Sequence, residues 1–194
     1  MLKGKQLAAK IASLSTLPFT GTVYRLIHVK YAETALSSIG SYRLGGRYNL
    51  ANTFEALYLA DSPITALQEV EMLFRQDEKL FPVKGAPRIL LSVEVTLSAV
   101  LDLTDVKIQK ALGTNPQELT GSWIAVNAAG HAAPTQMLGQ ACFRHEAIEG
   151  LKVPSARDHK AFNLAVFPEN LKVASDLRVF DHEGLGVARL PGRA

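Results

Sequence analysis

A single cysteine, Cys142, stands among 194 residues, so no internal disulfide can form and a reducing compartment such as the cytoplasm suits the chain. Cys142 falls in a helical pattern beside Leu138 and His145 and is expected to be a small core residue, not a nucleophile. Metal-ligand spacing is missing too. There are no paired cysteines and no His-Glu-x-x-His, and His28, His131, His145, His159 and His182 are far apart, so no metal is expected. Long apolar runs are also absent. The most apolar later stretch, Ile89 to Leu103, is interrupted by Glu94 and Asp102, so a membrane span is not expected. Met1 to Leu14 alternates lysines with apolar residues and lacks the features of a signal peptide. Finally, no cluster of Lys and Arg resembles a nucleic-acid arm or a polybasic anchor; the net charge is only +3. Direct nucleic-acid binding is therefore not expected, and a mild positive balance suits a small anionic ligand at least as well as a polymer.

What is present is an ordinary globular composition, 47% hydrophobic and 20% charged, which argues against disorder over most of the length. Leu7, Ala8, Ile11 and Leu14 predict a short N-terminal helix over Lys3 to Leu14, broken by Pro18 and Gly21. Strand-like stretches follow at Thr22 to Val29 and Ala56 to Ala60, separated by a Gly-, Ser- and Asn-rich segment from Ser37 to Asn52 that reads largely as loop. Ser62–Pro63 predicts a helix start, with Ile64, Leu67, Val70, Glu71 and Phe74 near one face and Glu69 to its side. A loop from Asp77 to Pro87 leads to strands at Arg88 to Leu97 and Val100 to Leu103. Helices are predicted over Asp105 to Leu112, from Asn115–Pro116 towards Trp123 and Val126, and over Pro134 to Glu149. Leu151 to Pro154, Phe162 to Phe167 and Leu171 to Phe180 read as strands, and the last dozen residues as a loose tail. The order is not a regular βαβα alternation, so the class is α+β. There is no internal repeat and no interdomain linker, and 1–194 reads as one domain.

Three constellations could carry chemistry. Tyr24–Arg25 is followed by Leu44–Gly45–Gly46–Arg47–Tyr48–Asn49, where paired glycines permit close backbone approach and an arginine can grip a phosphate through two parallel hydrogen bonds. It is neither a P-loop nor a dinucleotide fingerprint, and by residue physics alone a turn with a surface arginine is the commoner outcome. Tyr58 on a short strand precedes Glu69, flanked by Ala66, Leu67, Val70 and Met72; a partly desolvated carboxylate there could stabilise developing positive charge. A solvated helix carboxylate is the ordinary alternative, and Glu71 competes with Glu69 for the role. In Val153–Pro154–Ser155–Ala156–Arg157 the hydroxyl of Ser155 could meet a phosphate or ribose, or Ser155 could be a simple turn residue; no Gly-x-Ser-x-Gly elbow surrounds it.

In order and spacing these pieces resemble the RES domain, a family of bacterial toxins related to diphtheria-toxin-type ADP-ribosyltransferases. The resemblance runs from Val23 to about Leu171 and also takes in Ala56–Leu57–Tyr58–Leu59–Ala60, Ala66–Leu67–Gln68–Glu69, Gly150–Leu151 and Asn163–Leu164–Ala165–Val166–Phe167. Tyr48 departs from it, since the family often has tryptophan there; Asp105 to His131 matches no motif. The resemblance implies an ADP-ribosyltransferase-like split, mostly antiparallel β core with flanking helices. It implies NAD⁺ as substrate, consumed by cleaving the nicotinamide–ribose bond, with water, inorganic phosphate or a protein side chain as acceptor. Hydrolysis and phosphorolysis stand beside mono-ADP-ribosylation of a cellular protein as the alternative. Arg25 would bind the nucleotide, Arg47 a phosphate, and Tyr48 and Tyr58 would frame the nicotinamide ring. Glu69 would hold the ribose and stabilise an oxocarbenium-like transition state, and Ser155 would complete the phosphate side. The implied partner is an Xre-like antitoxin covering the active site.

Overall fold

The computed structural model describes residues 1–71, 73–76, 79–180 and 188–192. Helix α1 (Gly4–Ala12) buries Leu7 and Ile11, four residues apart on one face, and leaves Lys3 and Lys5 exposed. Strand β1 (Leu17–His28) starts ahead of the expected Thr22 because it is paired along its whole length with a later strand. Pro18 is accommodated at the register shift between Leu17 and Phe19, where no ladder N–H is required. A 3₁₀ turn (Val29–Thr34) leads to α2 (Ile39–Leu44), a short helix within the segment expected to be loop. Strand β2 (Leu57–Ala60) and helix α3 (Pro63–Glu69) follow. The hydroxyl of Ser62 accepts the N–H of Thr65 and Pro63 opens α3, as expected of that dipeptide.

Helix α3 is shorter than its apolar pattern predicts. The N–H of Glu71, which has φ +59, donates to the carbonyl of Gln68 and closes the helix. The chain then forms an antiparallel pair, β3 (Leu73–Gln76) and β4 (Lys79–Pro82), where the end of the helix and a loop were expected. Met72 and residues 77 and 78, within the expected helix end and loop, lie outside the described residues. The two strands expected between Arg88 and Leu103 are one, β5 (Arg88–Asp102), which changes partners part-way. At the change the N–H groups of Ser98 and Ala99 donate to the carboxylate of Glu149, 2.6 and 2.7 Å away, so a side chain replaces the ladder.

Helix α4 (Val106–Leu112) is closed by Gly113 at φ +64, as its sequence predicts. The next predicted helix is two, α5 (Pro116–Thr120) and α6 (Trp123–Ala128), the second capped by the hydroxyl of Ser122. Helix α7 (Pro134–Arg144) stops short of Glu149, which is drawn instead into the sheet. Strands β6 (Gly150–Pro154), β7 (Phe162–Val166), β8 (Asp176–Val179) and β9 (Arg189–Pro191) complete the described elements. Strand β9 stands within the stretch expected to be a loose tail, of which 183–187 and 193–194 lie outside the described residues.

The seven-stranded sheet runs β1-β2-β7-β6-β5-β8-β9, and β1 also pairs with β5. Every pairing is antiparallel except β5–β6, which agrees with the α+β, mostly antiparallel expectation. Strands β1 and β2 meet at one residue pair, Tyr24 with Ala60, and diverge around it, whereas β1 and β5 are paired from end to end. Two apolar clusters flank the sheet. One gathers Leu7, Ile11, Leu112, Leu119, Leu138 and Cys142 from the helices against Leu151 and Phe167; the other packs Val23, Leu59, Val93, Val95, Leu164 and Leu177. Each such fully buried aliphatic side chain contributes roughly 1.5–3 kcal/mol. Among the described residues no helix is long and apolar enough to cross a membrane.

Candidate active site

A cleft of about 710 Å³ opens where β1 and β2 diverge, lined by residues of β1, α2, the Gly45–Asn49 loop, β2, the end of α3, α6 and β6. Its size is that of a small-molecule site. Arg25, Arg47, Tyr58 and Glu69 all line it, although they come from four separate segments.

Arg25 shares one face of β1 with the buried Val23 and Ile27, by the two-residue period of a strand. Its Nη1 and Nη2 donate to the carbonyls of Ala35 and Ser37, 2.6 and 2.8 Å away. Burial pulls its pKa down to about 10, so it remains a cation at neutral pH. No carboxylate pairs with it among the described residues, and a partly desolvated cation of that kind attracts an anion.

Gly45 adopts φ +73, and a Cβ on Gly46 would lie 2.6 Å from the Tyr58 hydroxyl and 2.8 Å from Asn49 Oδ1. Both glycines are therefore required by the loop, one by its backbone angle and one by close approach. The Tyr58 hydroxyl donates to Asn49 Oδ1 and accepts the N–H of Tyr48, each at 2.9 Å. Burial pushes the phenol well above its ordinary range, so Tyr58 works as a neutral anchor whose ring borders the cleft. Asn49 is wholly buried and donates to the carbonyls of Ser41 and Phe54. By residue physics alone Arg47 would be a surface arginine on a turn. Its Nη1 instead donates to the carbonyls of Leu119 and Gly121 at the end of α5.

Glu69 ends α3, which packs against β1 and β2 through Thr65, Ala66 and Gln68. Its Oε1 accepts from Ser155 Oγ at 2.7 Å and from Asn163 Nδ2 at 2.6 Å. Among the described residues no donor reaches Oε2. Glu71, the competing carboxylate, is 76% exposed and paired with Arg157 at 2.8 Å.

Two residues sit elsewhere than expected. Tyr48 is counted among the residues lining the cleft but is 1% exposed, with its ring packed in the helical core cluster, so it leaves little ring surface open to a ligand. Its hydroxyl has no partner among the described residues, and burial raises its pKa. Ser155 is 2% exposed and stands behind Glu69, so its hydroxyl orients the carboxylate and does not meet the cleft. Both corrections arise because the inward direction at these positions is set by the strands and helices packed around them.

Sequence reasoning passed over two residues. Asn163, in a stretch read as a strand and as part of the family resemblance but given no role of its own, is the second donor to Glu69. Gln136 on α7 is 1% exposed and donates to the carbonyl of Gly46 at 3.0 Å and to Asn127 Oδ1 at 2.9 Å, fastening the glycine loop to α6 and α7. The available signals were polar residues in apolar company: Asn163 near the start of a strand that runs into the core, and Gln136 two residues after Pro134 at a helix start. Gly139 completes the fastening, since a Cβ there would lie 1.8 Å from the Tyr48 carbonyl oxygen. No group of three or more His, Cys, Asp or Glu residues able to hold a metal occurs among the described residues.

The family model described as RES domain matches residues 22–186. The chain belongs to the RES domain family. It is 34% identical over 155 residues to the NAD(+) phosphorylase MbcT of Mycobacterium tuberculosis (strain H37Rv), covering 77% of this chain and 75% of that protein. The NAD(+) phosphorylase MbcT of Mycobacterium bovis is similar to the same degree. Among solved structures, the M. tuberculosis MbcT–MbcA toxin–antitoxin complex superposes with TM-score 0.66 at 23% identity, covering 97% of this chain and 93% of that one. At that identity the superposition speaks to the fold, and it places this RES protein on the same architecture.

Proposed function

We propose that this RES protein is an NAD⁺ phosphorylase: it cleaves the nicotinamide–ribose bond and passes the ADP-ribosyl group to inorganic phosphate. The observation that carries the reading is Glu69, held through Oε1 by Ser155 and Asn163, with no donor to Oε2 among the described residues, beside the cleft in a chain 34% identical to MbcT. Nicotinamide leaves with the electron pair of the C–N bond and loses its ring charge, while positive charge passes to the ribose. A fixed carboxylate placed there stabilises that charge more in the transition state than in the ground state.

The remaining roles follow from position. Arg25 and Arg47 each keep spare N–H donors for the pyrophosphate of NAD⁺. The Tyr58 ring borders the nicotinamide, and Ser155 and Asn163 orient Glu69. Residues 1–194 act as one functional unit, without a metal, on the NAD⁺ of the bacterial cytoplasm. The protein is neutralised by an antitoxin of the Xre-like, helix-turn-helix type that covers the cleft.

The test is incubation of the purified protein with NAD⁺, with and without phosphate and with EDTA in a parallel arm. Phosphate-dependent release of nicotinamide and a phosphorylated ADP-ribose, unaffected by EDTA, is the expected result. Free ADP-ribose formed at the same rate with or without phosphate would make the enzyme a hydrolase, and intact NAD⁺ in every arm would remove the reading altogether.

A further inference from the structure

We propose that Arg157 captures the acceptor phosphate, and that its ion pair with Glu71 sets how tightly that phosphate is held. The inference rests on the phosphorylase reading above and names the residue that serves its second substrate.

Arg25, Arg47 and Arg157 are the arginines lining the cleft. Arg25 and Arg47 donate to main-chain carbonyls, which hold their heads against the loops they organise. Arg157 is different. Its Nη2 donates to Glu71 Oε1 at 2.8 Å, and the two side chains are 45% and 76% exposed. An ion pair so wetted is weak and readily exchanged for a better anion. A phosphate, carrying more charge than a carboxylate and able to accept two parallel guanidinium hydrogen bonds, is such an anion.

Position makes the same point. The backbone N–H of Arg157 donates to Ser155 Oγ at 3.1 Å, and that hydroxyl donates to Glu69 Oε1. Arg157 is thus anchored beside the carboxylate that serves the reacting ribose carbon. An attacking phosphate must approach that carbon against the charge of Glu69, so a cation on the Glu69 side is needed to bring it in. Glu71 is held opposite by the end of α3, at φ +59, a backbone state that L-residues other than Asn and Asp seldom adopt. The two residues meet from separate loops across the mouth of the cleft, both lining it.

The step balances without a further reactant. An oxygen lone pair of hydrogen phosphate forms the new C–O bond at the ribose carbon. The C–N bond breaks and its pair leaves with nicotinamide, now neutral. Phosphate needs no base to strip a proton during attack, whereas water does, so a bound phosphate favours phosphorolysis over hydrolysis at this site.

The experiment measures nicotinamide release against phosphate concentration at saturating NAD⁺, and the ratio of phosphorylated to free ADP-ribose, in the wild type and in Arg157→Gln, Arg157→Lys and Glu71→Gln. Arg157→Gln is expected to raise KM for phosphate by about tenfold or more, as loss of a charge-assisted contact does. The free ADP-ribose share should rise in that variant and KM for NAD⁺ should change far less. Arg157→Lys should recover part of the loss. Glu71→Gln should lower KM for phosphate, because Arg157 is released to it. A wild type that ignores phosphate would sink the phosphorylase reading and this inference with it. A phosphate-dependent wild type with unchanged phosphate KM in Arg157→Gln overturns the inference alone. So does a rise confined to KM for NAD⁺, which would assign Arg157 to the dinucleotide, or a shift of phosphate KM in the same direction in Arg157→Gln and Glu71→Gln.

Discussion

Glu69 gives Oε1 to two neutral donors and, among the described residues, has no donor to Oε2, and this division explains why two neutral side chains matter as much as the charge. Ser155 and Asn163 both donate to Oε1, so the carboxylate is aimed before any ligand arrives. Glu69→Gln keeps the shape and an acceptor for those donors but removes the charge. It is expected to lower kcat/KM for NAD⁺ roughly 10²–10³-fold, the scale of losing one well-placed electrostatic contact, while thermal unfolding stays close to the wild type. Full activity in Glu69→Gln with loss in Glu71→Gln would move the role to the other carboxylate, against the 76% exposure of Glu71.

Among the elements, the Gly45–Asn49 loop and α7 behave as one piece. Gln136 fastens the carbonyl of Gly46, Gly139 lets the Tyr48 backbone rest on the helix, and Phe143 of α7 stacks on Phe54 at 4.2 Å between ring centres. Gly139→Ala would place a Cβ 1.8 Å from a carbonyl oxygen, and backbone cannot yield as a side-chain tip can. The substitution should destabilise by at least about 1–3 kcal/mol, a fall in Tm of several degrees, and weaken NAD⁺ turnover through displacement of the loop. Gly40→Ala is the control: a Cβ there meets nothing within 4 Å and its φ is ordinary, so stability should change by no more than about 0.5 kcal/mol. Equal Tm values for the two variants would mean that the loop and α7 are not fastened as described.

For the whole molecule, the joint that matters is where β5 leaves β8 and meets β6. Glu149 fills the break with acceptors for Ser98, Ala99, Lys172 and Ser175. Just beyond it, Asp102 on β5 accepts Lys152 Nζ of β6 at 2.9 Å and the N–H of Thr104 at 2.9 Å. Burial pushes the Asp102 carboxyl up, but the hydrogen bonds from Thr104 and Lys152 and the charge of Lys152 outweigh it and hold its pKa below the ordinary 3.8. A folded-state pKa below the unfolded one gives stability that is fully present above the unfolded value and is lost as pH falls through the folded value. The stability difference between wild type and Asp102→Asn, measured by denaturant unfolding, should therefore hold steady at pH 6 and shrink as pH falls below about 4. A difference that stays the same from about pH 6 to well below about pH 4 would show that Asp102 contributes no charge-dependent tie across the joint.

The sequence by itself determined many local elements and the family. Ser62–Pro63, Asn115–Pro116 and Gly113 mark helix ends because capping and left-handed backbone are properties of a few adjacent residues. The α+β class, the RES motifs and the set Arg25, Arg47, Tyr58 and Glu69 were legible for the same reason, since residue type and order carry them. Tertiary structure alone decided which polar groups face the cleft. It turned Ser155 behind Glu69, sank Tyr48 into the core, and brought Asn163, Gln136 and Arg157 to the site from 67 to 94 residues away. The span is that from Asn163 to Glu69, and from Gln136 to Glu69. It also fused two predicted strands into β5, because a carboxylate from residue 149 satisfies the break that turn-like Ser98–Ala99 would otherwise leave. Hydrogen-bond partners of that kind are fixed by which strands close the sheet, and strand closure depends on non-local burial that no short stretch of sequence encodes.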